Sequence, residues 1–230
     1  MDIRFFLNDR IKFIRRFYET TSQPLVQTKQ RIMAGEAPFD SPPYREDGEP
    51  PFLDEYLDAD EALEVLGRNC VSMLSESLKL YFTTWEWEFW RRRGCGKNFR
   101  KTFKDSGFLQ GYKECFAAAL KIDWNECPAD FSILEQIILA RNADQHPDSI
   151  TTIRVTHNEY TRRQHPQPFF VSEIERKLFL SRDEDLGAWL GLTLHVSRDT
   201  LLEAIRQVEL LTSWLEEKLV EAKYGPRRKE

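Results

Sequence analysis

Histidine is scarce in this 230-residue chain, four in all, and cysteine is no more frequent. Neither residue falls into a metal-binding spacing, and Cys70, Cys95, Cys115 and Cys127 contain no Cys-x-x-Cys pair, so no metal is expected. The simplest account of the cysteines is a reduced set. Glycine, with 10 residues, forms neither a Walker loop nor a dinucleotide pattern, so no cofactor is expected either. No apolar run is long enough to span a bilayer, and Met1-Asp2-Ile3-Arg4 lacks a signal-peptide layout. The expectation is therefore a cytoplasmic protein away from the membrane. An excess of positive charge is missing as well. The net charge of −5 excludes a global pull toward nucleic acid, so any RNA contact has to be local.

What the chain does have is helical periodicity and large rings. At 41% hydrophobic and 13% aromatic it can bury a sizeable core, which predicts a single domain over residues 1–230. Ile3, Phe6, Leu7, Ile11, Ile14 and Tyr18 recur at helical spacing, with Arg10, Lys12, Arg15 and Arg16 on the solvated side. A second short helix is expected from Leu25 to Ala34, with Pro24 near its first turn. Residues 35–57 carry five prolines among Phe39, Tyr44, Phe52 and Tyr56, and read as an ordered strap packed across the helices.

Asp58-Ala59-Asp60-Glu61 has helix-start chemistry, and apolar spacing then persists from Leu63 to Phe89. About 35 residues would make a helix of about 50 Å, ended at Gly94 and Gly96. Trp85, Trp87 and Trp90 widen its apolar surface, which suits either another element or a dimer interface. Further helices are expected over 108–120, 172–180 and from Ser197 onward. Leu192 to Val196 reads as a short extended piece, residues 148–171 as a polar loop, and 225–230 as a tail. The fold class that follows is all-α: a helical bundle around one long central helix, with a Pro-rich strap and a short extended segment.

Chemistry concentrates at Arg141-Asn142-Ala143-Asp144-Gln145-His146, the end of an apolar helix closed by Pro147. Ser132 and Glu135 have capping-box spacing and predict the helix start. Leu134, Ile137, Ile138 and Arg141 share one face, so Arg141 is aimed at the apolar stripe, where it needs an anion or many acceptors. Pro147 disfavours helix at His146, so the last turn can bring the imidazole back toward the guanidinium. Histidine suits proton transfer near neutrality, and arginine suits a phosphate because its planar fork stays charged. Asn142 is expected to orient either residue, and Asp144 to hydrogen-bond the imidazole. The plainer account is an interior Arg141 satisfied by helix-end carbonyls and acidic neighbours, with His146 as a polar cap.

Arg-Asn-x-x-x-His at a helix end, in a mostly helical chain, resembles the signature of the HEPN superfamily. The run Asp47-Gly48-Glu49-Pro50-Pro51-Phe52-Leu53 also resembles an uncharacterised bacterial protein family, which implies no activity. The HEPN resemblance implies a metal-independent endoribonuclease acting on single-stranded RNA, in a toxin–antitoxin or phage-defence setting. It also implies a homodimer whose composite site takes one motif from each protomer, with an antitoxin or other protein as a possible further partner. Non-cleaving members make a nucleotide- or partner-binding module the alternative. The cations expected to hold RNA phosphates are Arg162 and Arg163 in the polar loop, and Arg100 and Lys101 in the basic stretch interleaved with Phe99, Phe103 and Phe108.

Overall fold

The computed structural model describes residues 2–42, 48–90, 101, 103–105, 107–145, 154–180 and 191–225. Among these the regular structure is helical, and the one β-contact is an isolated antiparallel bridge between Thr156 and Thr193. The all-α class is what the spacing of apolar residues predicts.

The first helix, α1 (Ile3–Ala34), starts where the Asp2 carboxylate accepts the Phe5 N–H and ends where Gly35 takes a left-handed conformation at φ 62°. It is one helix, not the two expected, because it runs straight through Pro24. Pro24 is exposed, so water can satisfy the carbonyl one turn earlier that its missing N–H leaves free. The strap also differs from expectation. Its described residues are mostly exposed, and Phe39 packs edge-on against Phe52 at 5.0 Å, so the strap closes on itself. Residues 43–47, Tyr44 among them, lie outside the described residues.

Helix α2 (Leu53–Trp90) begins a turn and a half before the expected start, with Asp54 and Glu55 in its first turn. It packs on α1, on α4 (Phe131–Gln145) and on α7 (Arg198–Tyr224). Helix α3 (Gly107–Leu120) joins through rings: Phe82 stacks on Tyr112 at 4.9 Å and meets Phe116 at 6.0 Å. Trp85 is buried and Trp90 packs on Phe116, which covers part of the tryptophan cluster within the chain. Trp85 Nε1 and the Tyr81 hydroxyl both donate to Glu216 of α7, at 3.0 and 2.8 Å. The core is filled by Ile11 and Ile14 of α1, Leu74 and Leu78 of α2, Leu134 and Ile137 of α4, and Leu201 and Leu211 of α7.

The expected polar loop contains a helix of its own, α5 (Glu159–Gln164), capped by Asn158, whose side chain accepts the Thr161 N–H. After α6 (Glu173–Leu180), an extended piece from Leu192 to Val196 is fastened on both sides. His157 N donates to Leu192 O at 2.8 Å, Leu194 N to Val155 O at 2.9 Å, and His195 N to Phe170 O at 3.1 Å. Ser197 caps α7 through the Thr200 N–H, as its sequence predicts. Cys70 and Cys127 are free thiols, whereas Cys115 is disulfide-bonded, unlike the reduced set expected. Cysteine spacing carries no information on that point, since pairing depends on distance in the fold. Burial pushes the Cys70 thiol up to about 12, so it acts as a small core residue.

Candidate functional site

The cap of α4 is Asp130 and not the Ser132–Glu135 box: the Asp130 carboxylate accepts the Ser132 N–H at 2.8 Å. Ser132 is thereby released to meet His165 Nδ1 at 3.2 Å, and Glu135 stands 3.5 Å from the other ring nitrogen. Leu134, Ile137, Ile138 and Ala140 are buried, so the face that carries Arg141 does turn inward.

What Arg141 meets there is a polar stripe on α2. Arg68, Ser72, Glu76 and Lys79 follow one another at i, i+4, i+8 and i+11, so they line one side of that helix. One terminal nitrogen of Arg141 lies 3.0 Å from Glu76 Oε1, and the other donates to Asn142 Oδ1 at 3.3 Å. Its Nε is buried and has no hydrogen-bond partner. Lys79 reaches the same Glu76 oxygen at 3.7 Å. Burial and the neighbouring Arg141 charge hold the Lys79 ammonium below the usual lysine range, with Glu76 acting against them. Two cations therefore converge on one carboxylate.

Asp144 is fully engaged on α2: one oxygen accepts from Arg68 Nε and the other from the Ser72 hydroxyl, each at 3.2 Å. The structure thus places the Asn142 amide against Arg141 and commits Asp144 to α2. His146 lies outside the described residues, as does Arg100.

Of the expected RNA-binding cations, the pair in the polar loop does not reach this end of α4. Arg162 and Arg163 sit on α5, whose C-cap His165 contacts Ser132. Nine residues of helix separate Ser132 from Arg141, roughly 13 Å. Arg163 is tied to Glu159 at 2.5 Å on the surface, and Arg162 Nε is buried without a partner. Lys101 is exposed, two residues before Phe103, whose ring packs on Tyr112 at 5.0 Å. Sequence reasoning missed Glu76, Lys79 and Arg68, although their helical spacing was a usable signal.

The end of α4 opens on a cleft of 740 Å³ between α1 and α2, whose lining includes Arg10, Phe13, Arg16, Phe17, Ser72, Glu76 and Gln145. Set against known proteins, the chain matches no family model, no curated protein and no solved structure. The HEPN resemblance therefore rests on these residues alone. Among the described residues, no group of three or more His, Cys, Asp or Glu side chains is arranged to hold a metal ion, and no helix is long and apolar enough to cross a membrane.

Proposed function

We propose that the chain is a metal-independent endoribonuclease of HEPN type, cleaving single-stranded RNA by 2′-hydroxyl attack. The observation that supports this most is the convergence of Arg141 and Lys79 on the single carboxylate of Glu76. Two cations and one anion leave positive charge over at the end of α4, and a phosphate is the ligand that suits a guanidinium fork. In this reading Arg141 exchanges its Glu76 contact for the scissile phosphate, and its unsatisfied Nε–H gains an acceptor. A histidine nitrogen takes the 2′-hydroxyl proton as O2′ bonds to phosphorus. The 5′-oxygen leaves with a proton and a 2′,3′-cyclic phosphate remains.

His146 of each protomer serves these transfers in a composite homodimeric site. The setting that goes with the reading is a cytoplasmic toxin or phage-defence protein, held in check by an antitoxin.

A second reading has its own observation. Both oxygens of Asp144 and one arm of Arg141 are already satisfied by α2, as in a helical module that binds a nucleotide or protein partner without cleavage. Incubation with labelled single-stranded RNA in EDTA separates the two. Cleavage that survives chelation, leaves cyclic-phosphate ends and disappears in Arg141→Ala and His146→Ala supports the nuclease. Wild-type protein that is inert while folded by circular dichroism removes it and favours the binding module.

A further inference from the structure

A second polar cluster lies at the opposite end of α4 from Arg141, and its hydrogen bonds form a chain whose direction is fixed from the backbone outward. The Phe169 N–H donates to Gln136 Oε1 at 2.7 Å, so the Gln136 amide turns its NH2 group the other way. That group donates to Ser132 Oγ at 3.3 Å. Gln136 is buried, and its helical spacing of four sets it beside Ser132. With Oγ accepting from Gln136, the hydroxyl hydrogen is left to point at His165 Nδ1, 3.2 Å away. The other ring nitrogen, Nε2, is buried without a hydrogen-bond partner, and the Glu135 carboxylate stands 3.5 Å from it. A proton on Nε2 faces that carboxylate, which leaves Nδ1 as the acceptor. The His165 side chain is only 10% exposed, whereas Ser132 is exposed, so the hydroxyl is the part of the chain that a ligand reaches.

We propose that Ser132 is a nucleophile toward carboxylic esters, with His165 as its general base and Glu135 positioning the ring. Hydroxyl, imidazole and carboxylate stand in the order that activates a serine. The base removes the proton, and the acid holds the base in one tautomer and steadies the imidazolium. Ser132 Oγ bonds to the ester carbonyl carbon as its proton passes to His165 Nδ1. The bond from that carbon to the alcohol oxygen breaks, and the alcohol leaves with the proton. Water then gives a proton to Nδ1 and attacks the acyl carbon. Ser132 Oγ leaves with that proton, and a carboxylic acid is released. Arg162, one turn before His165 on α5, adds positive charge on that side and favours the oxyanion of the intermediate; its Nε–H is buried and unsatisfied. Charge selects a carbonyl over a phosphoryl group. A phosphodiester arrives already anionic and meets Glu135, while an ester arrives neutral. The cluster shares no residue with the Arg141 site, and the inference needs nothing from the ribonuclease reading.

Reaction of the full chain with a fluorescent fluorophosphonate, followed by mass spectrometry of its peptides, tests the nucleophile. An adduct on Ser132 is expected, absent from Ser132→Ala. His165→Gln is expected to slow labelling about 100-fold or more, with unchanged circular dichroism. Turnover of p-nitrophenyl acetate tests the substrate class, and Glu135→Gln should lower its kcat at least about 10-fold with KM unchanged. A network that only pins α5 to α4 would give neither the adduct nor the effect on kcat. A folded wild type left unlabelled at Ser132, labelling indifferent to His165→Gln, or no turnover of the ester overturns the inference.

Discussion

Glu76 is held between Arg141 and Lys79, and its replacement separates structural cost from ligand affinity. Glu76→Gln removes the carboxylate that both cations share, so stability should fall by about 1–3 kcal/mol. The same change leaves two unneutralised cations, so phosphate or sulfate should raise its melting temperature more than it raises that of wild type. Equal shifts in both proteins would mean that no anion binds there. Asp144→Ala strands Arg68, which is only 13% exposed, and should also cost about 1–3 kcal/mol in a urea titration.

His195 supplies a pH dependence at the same scale. Its Nδ1 lies 2.5 Å from Glu64 Oε1, and this bond raises the imidazole above its ordinary value against the opposing effect of burial. A group raised in the fold contributes stability that is complete below its unfolded value, about 6.5, and is lost as pH climbs through the folded one. His157 works the other way. Burial lowers it, with its Nε2–H donating to Phe170 O at 2.8 Å, so its share is present above about 6.5 and lost as pH falls through the folded value. Thermal melts of His195→Gln should therefore lose the decline on the alkaline side of neutrality, while the acid-side decline stays. An unchanged alkaline limb would show that the Glu64 pair is not the source.

Among the elements, α1 and the extended piece before α7 depend most on single positions. Pro24 removes one backbone bond from the exposed side of the continuous α1, so Pro24→Ala restores that bond without disturbing packing. A gain of up to about 3 kcal/mol is expected, read as a rise in denaturation midpoint. Gly67 acts in the opposite sense. A methyl group there would stand 2.4 Å from Val196 O and 2.9 Å from Val196 Cβ, so α2 and the extended piece approach too closely for any side chain. Gly67→Ala should cost about 1–3 kcal/mol and loosen the Leu192–Val196 piece, visible as faster amide exchange at Leu194 and His195. Retained protection at both amides would show that the piece is held by its backbone bonds alone.

For the molecule as a whole, α2 packs on α1, α4 and α7, and its two sides have different fates. One side joins α4 and α7 through the core and the Glu216 bonds; the other, with α1, forms the open ring-lined face. The homodimer proposed above would link stability to concentration, because dimerisation favours the folded state by mass action. The melting temperature of the wild type should then rise with protein concentration, and a flat dependence would count against the homodimer.

The sequence by itself determined the all-α class, the bounds of α3 and α7 to within a residue, the Ser197 cap and the inward face of α4. Each follows from local propensity and period, which act over a few residues and need no partner to be read. Only the tertiary structure decided that Pro24 lies inside a helix, because its exposure to water is a property of packing. The same holds for the site. Arg141 on an apolar face announced that it needed an anion, but which one depended on α2 lying alongside, with Glu76, Lys79 and Arg68 a long way off in sequence. Asp144 was likewise claimed by Arg68 and Ser72 across the helix–helix contact, where electrostatic partners are chosen by distance in space.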